Sequence, residues 1–379
     1  MSIPGSALLL AALAAHAAAQ TFVVDINNGP GTDFVEIAAA VAAVPDGAVL
    51  QVRPGTYGSF QIRAKSLSVV GGPGVYVSGS FFQLTAIEIL DIASHQSVSI
   101  RDVGLAALLG LPRVGLRDCD GTVVLDAFHV MPDTVAAIGG RLVVSGCQQV
   151  IVHESHIAAR TLVESTIEAY GSNVVLDDCV LGTTSACIRQ GGGRVQVKHC
   201  RLERESGVFS TGAALMVLAG GELLLHGDTV LDGANVASVT AGAGTGTIVL
   251  DPSTVLQGLA SPAFDPNLTL ANRSIPRLDA STQARGGAAS ATLAVPAAGV
   301  GFLHVGFATS PVVLPGIVDP IWLAMPAALH AVGGSPAVAG GYSVPNAPWV
   351  LGVTVAWQGI VLDRNGGLAA SNPAAYIHH

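Results

Sequence analysis

A chain of 379 residues is long enough for two domains. Half of it is hydrophobic, 11% is charged and 46 residues are glycine, which argues against intrinsic disorder and suits many short strands joined by glycine turns. With 17 basic against 26 acidic residues the net charge is -9, so the surface repels phosphate backbones and no nucleic-acid partner is expected.

Residues 1–19 hold a short apolar run, 7–15 (ALLLAALAA), followed by small residues, the pattern of a cleaved export signal with its cut after Ala19 or Ala17. The usual Lys or Arg near the start is missing. That run is too short to span a bilayer. No later apolar run reaches that length without Gly, Pro or charge, so no integral membrane span is expected. The protein is expected outside the cytoplasm, secreted or at the cell surface.

After this leader, 22–25 reads as a strand. Asp33 and Glu36 have the spacing of a capping box, and Phe34, Ile37, Val41 and Val44 then make one apolar helical stripe. Pro45-Asp46-Gly47 stops that helix. Residues 49–53 read as a strand, closed by Pro54-Gly55-Thr56-Tyr57.

The helix segment "GTDFVEIAAAVAAVPDGA" and the "VRPGTY" strand and turn resemble the first turn of the pectin-lyase-like superfamily, pectin methylesterases in particular. The resemblance implies a right-handed parallel β-helix whose open end is capped by this helix. It covers about 35 residues and implies a polysaccharide as the partner to consider. The two aspartates, glutamines and arginine of the methylesterases have no counterpart here.

An internal repeat points to the same architecture. A strand of seven residues begins at 113, 141, 173, 194, 222 and 247, with weaker copies at 66 and 97. Variable spacing of 21 to 32 residues around a fixed strand is the signature of a β-solenoid. The second and fourth positions are apolar throughout, as in Val174/Leu176 and Val195/Val197, and face a shared interior. The third position is often apolar as well, so another element is expected to cover part of that outer face. Four copies end in Cys119, Cys147, Cys179 and Cys200, expected in one column, either as a ladder of buried free thiols or as disulfides between neighbouring coils.

The solenoid is expected over 20–258 and a linker over 259–287. Over 288–379 a small antiparallel β domain is expected, with strands near 291–295, 300–307, 350–357 and 360–363, and a tight reversal at 363–366. Its close, "LGVTVAWQGIVLD", resembles a C-terminal module frequent in exported proteins of planctomycete-like bacteria. The expected fold class is therefore all-β, a parallel β-helix followed by an antiparallel sandwich-like domain.

For chemistry, the best set is Asp177 and Asp178 on one coil with His199 and Arg201 on the next. Paired carboxylates beside a histidine can hydrolyse a glycosidic bond. The set resembles that of polygalacturonases, but His199 lacks the following Gly, and no R-x-K follows. Arg117, Asp118, Arg189 and Lys198 are the candidate substrate-binding groups. Calcium at the corner aspartates is conceivable by likeness to pectate lyases, though no metal-ligand spacing supports it and no cofactor is expected. His153 and His156, three apart, look like a metal pair, but their flanks read as strand and turn. Two functions stay open: a non-catalytic glycan-binding or cell-surface protein, and a lyase or glycosidase acting on acidic polysaccharide.

Overall fold

The computed structural model describes residues 20–79, 85–106, 113–130, 140–159, 165–204, 214–233, 236–242, 244–260, 263–281, 284–324 and 327–379. The leader expected at 1–19 lies outside them. The chain is almost all β, with a parallel β-solenoid of about 8 turns and a later antiparallel region. Phe22–Asp46 and Leu50–Ser274 form one compact unit, and Ile275–His379 is the main part of the other.

Each coil of the solenoid carries three short strands, stacked into three parallel ladders. The first ladder runs through Phe60–Arg63, Thr85–Leu90, Arg113–Arg117, Arg141–Ser145, the first halves of Ile167–Asp177 and Ile188–Lys198, then Ala214–Leu218 and Ala237–Ala241. The second runs through Leu67–Val70, Ser97–Arg101, Thr122–Asp126, Gln149–His153, the second halves of the same two long strands, Glu222–His226, Thr247–Leu250 and Thr269–Asn272. The third has nine strands from Gly55–Tyr57 to Val255–Gln257. In-register stacking places like on like: Val174, Val195 and Leu223 are successive Cα partners, as are Leu176, Val197 and Leu225, all at most 1% exposed. Each such aliphatic burial contributes about 1.5–3 kcal/mol.

The repeat is real, but its copies do not share one column. Those at 113 and 141 belong to the first ladder and those at 173, 194, 222 and 247 to the second. Arg141–Ser145 stacks on 167–170, not on 173–177. The cysteines accordingly separate into two pairs, Cys119 with Cys147 and Cys179 with Cys200, all free and buried. Both ladders share the same in-out alternation and the same kind of exit, so a heptapeptide pattern cannot distinguish them.

That exit is a corner made by one residue in the left-handed region. Leaving the first ladder it is Ala64, Asp91, Asp118, Gly146 or Gly171, and leaving the second it is Asp102, Ala127, Glu154, Asp178 or His199, all with φ between 45° and 66°. Asp, Asn, His and Gly tolerate this conformation best. At three corners the next residue caps the preceding coil with its side chain. Ser155 Oγ accepts the Phe128 N–H at 3.1 Å, Ser172 Oγ accepts the Cys147 N–H at 3.0 Å, and Cys200 Sγ accepts the Cys179 N–H at 3.4 Å. Cys200 is therefore a corner-capping group.

On the second ladder the third-position residues Val124, Ile151, Val175, Leu224 and Val249 are all buried. On the first ladder the equivalent Val143 is half-buried.

The N-terminal helix is Ile37–Ala43, with Ile37, Ala40 and Val41 buried. The expected capping box does not form. Residues 33 and 34 are instead extended against 23–25, the Asp33 carboxylate accepts the Val23 N–H and Glu36 accepts the Gly58 N–H. Lys65 closes the other end by donating to the carbonyls of Val41 and Val44.

The stretch expected as a linker, 259–287, carries the last solenoid strand, Thr269–Asn272, and the first strand of the second unit, Leu278–Ala280, which pairs antiparallel with Ala288–Ala294. Its Pro, Asn and Ser content reads as loop, yet backbone pairing overrides that local preference. In the second unit Thr354–Leu362 is one continuous strand, not two. The reversal after it is built as expected, with the Asp363 carboxylate accepting the amides of Asn365 and Gly367. The core there is built on Trp357, Tyr376, Leu293 and Leu303.

Candidate functional site

Asp177 and Lys198 are Cα partners at the end of the second ladder. The same position on the other coils holds Arg101, Asp126, His153 and His226, giving a row of six polar or charged residues in register. All six are buried, at 6% exposure or less. Buried charges must be paired, and from Arg101 to Lys198 the row alternates in sign. Arg101 pairs with Asp126, whose other oxygen accepts from His153 Nδ1 at 3.0 Å. Lys198 Nζ lies 3.1 Å and 3.2 Å from the two oxygens of Asp177. Gln196 donates to His226 Nε2 at 2.9 Å. Burial opposes a charge on His153, but the hydrogen bond and charge of Asp126 outweigh it and raise the imidazole to about 9.

Of the expected catalytic set, only part comes together. Asp177 is buried and held by Lys198, with His199 Nδ1 at 3.9 Å. Asp178 is an exposed corner residue with φ 56°, and His199 is the corner residue of the next coil with φ 51°. Arg201 opens a third-ladder strand and is engaged by Glu203 at 2.7 Å and Asp232 at 3.5 Å. Arg117 and Asp118 sit at the other corner, with Arg117 on Glu88 at 3.4 Å. Arg189 lies on the first ladder beside Glu168. These substrate-binding candidates therefore do not gather around Asp177, apart from Lys198.

Asp126, His153 and Glu154 offer three ligand atoms within 4.8 Å of one another. Asp126 is already neutralised by Arg101 and by a protonated His153, which has no lone pair to give a metal. His153 and His156 fall on opposite sides of a corner and do not form a pair.

An open groove of about 500 Å³ lies elsewhere, on the outer face of the third ladder. Its floor is a register row: Tyr76, Gly104, His129 and His156 are successive Cα partners. Gly72-Pro73-Gly74 and Asp102 form its sides. Gly104 is required by close approach, because a Cβ there would stand 2.7 Å and 2.8 Å from the ring of Tyr76. That ring lies on the glycine and still leaves Tyr76 43% exposed. Strand reading missed this row because its residues belong to pieces of two to four residues with no repeat consensus. The signal available was the spacing of His129 and His156, a full coil apart at 27 residues.

No protein-family model matches the chain, and no curated protein matches it either. No helix among the described residues is long and apolar enough to cross a membrane.

Proposed function

We propose that this chain is an exported, non-catalytic glycan-binding protein whose sugar site is the third-ladder groove. Tyr76 carries the reading: a ring seated against Gly104 and 43% exposed, in a groove of about 500 Å³ that two histidines also line. Sugar rings present apolar C–H faces to an aromatic plane and hydroxyls to nearby polar groups, and sites of this kind combine both. The leader-like residues 1–19 support an extracytoplasmic or cell-surface location. The resemblance of the opening turn to pectin-lyase-like proteins supports a polysaccharide as partner. Hydrolysis or elimination at Asp177 is disfavoured, since Lys198 engages both carboxylate oxygens of a side chain only 5% exposed.

Affinity electrophoresis against a panel of soluble polysaccharides tests this. At least one polymer should retard the protein, and Tyr76→Ala should weaken that binding about tenfold, the equivalent of about 1.4 kcal/mol. Release of reducing ends or unsaturated products from any polymer in the panel overturns the non-catalytic reading. No retardation by any polymer overturns the binding reading.

A further inference from the structure

The imidazoles of His129 and His156 stand on adjacent strands of the third ladder as direct Cα partners. Adjacent strands are about 4.8 Å apart, and equivalent side chains leave the same face in the same direction. Neither imidazole has a hydrogen bond or ion pair among the described residues. This contrasts with His153 and His226, both engaged in the buried row. The pair is bounded on one side by Gly104 and the Tyr76 ring and on the other by Val180. The nearest cation on the row is Arg201, two coils beyond His156 and engaged by Glu203 and Asp232. Asp102 lines the same groove, with its carboxylate held by Arg101 at 3.2 Å.

We propose that His129 and His156 form a two-imidazole site for a borderline divalent cation, Zn²⁺ or Cu²⁺, with its remaining coordination positions open to the groove. Imidazole nitrogens bind such ions at about 2.0–2.1 Å, so two of them must come within about 4 Å of each other. Side chains rising in parallel from strands about 4.8 Å apart reach that with small rotations. Two neutral nitrogen donors select Cu²⁺, Zn²⁺ and Ni²⁺ over Ca²⁺ and Mg²⁺, which require oxygen. The site does not depend on the glycan reading, because the imidazoles chelate whether or not a sugar occupies the groove.

The test is titration of the chain with Cu²⁺ and with Zn²⁺ by calorimetry, joined to electron paramagnetic resonance of the Cu²⁺ form. The chain has 11 histidines, so the reading is the change on substitution. His129→Asn and His156→Asn should each remove one binding event, or weaken it about a hundredfold as a chelate becomes a single ligand. Tyr76→Ala and His379→Ala should leave it intact. The Cu²⁺ spectrum should show two equivalent nitrogens, reduced to one in either variant. Unchanged thermal melts of the apo-variants are expected, since both side chains lie on the outer face. Wild-type affinity and stoichiometry in the double variant, or a Cu²⁺ spectrum that the substitutions do not alter, would overturn the proposal.

Discussion

His153 shows how one buried side chain ties the solenoid to pH. Burial works against its charge, but the bond to Asp126 and the nearby carboxylate of Asp177 raise it to about 9, above the ordinary 6.5. A raised value means that its contribution is complete below about pH 6.5 and is lost as pH climbs through 9. The unfolding free energy from denaturant titration should therefore fall between pH 6.5 and 9.5 by an amount on the order of 3 kcal/mol. His153→Gln should flatten that slope, and an equal slope in the variant refutes the assignment. Lys198→Met removes the cation that holds both oxygens of the buried Asp177, and a loss of about 3–5 kcal/mol is expected from urea unfolding. At the corners, Ala127 is an L-residue held at φ 48°. Ala127→Gly should relieve that strain and raise stability by about 1 kcal/mol, seen as a higher melting temperature.

At the scale of strands and ladders, the groove is set by what the third ladder omits as much as by what it carries. Gly104→Ala places a methyl 2.7 Å from the Tyr76 ring and must displace it. The expected outcome is a folded protein, by circular dichroism, with glycan binding weakened about as much as in Tyr76→Ala. Much of the ladder structure was legible. Apolar alternation located 113–117, 141–145 and the strands at 173, 194, 222 and 247, since an inward side chain every second residue is a local property. Which ladder each strand joins was not legible, because both alternate alike and both end in a left-handed corner. The charged row was half legible: Asp177 and Lys198 were noticed, but Arg101 and Asp126 were not. Their common mark is a charged or polar residue after the last apolar position and just before the corner, as in "IRD", "LDA", "VHE", "LDD" and "VKH".

Each inner member of that row faces another on the coil before and the coil after, so its charges are coupled along the axis. Exchanging the partners by Asp177→Lys with Lys198→Asp keeps the pair but sets a cation against His153. The double variant should remain less stable than the wild type, with a double-mutant cycle showing incomplete recovery; full recovery would mean that the pair acts alone. By itself the sequence determined the fold class, the interior-facing residues, the terminal helix and the existence of a second β region, all of which follow from local periodicity and turn chemistry. Only the tertiary structure decided which residues stack. Coil length varies with each loop, so residues 21 to 28 apart in the chain become neighbours at one strand spacing, and no local pattern specifies that register. That stacking placed Asp177 in a neutralised row and brought Tyr76, Gly104, His129 and His156 into one open groove.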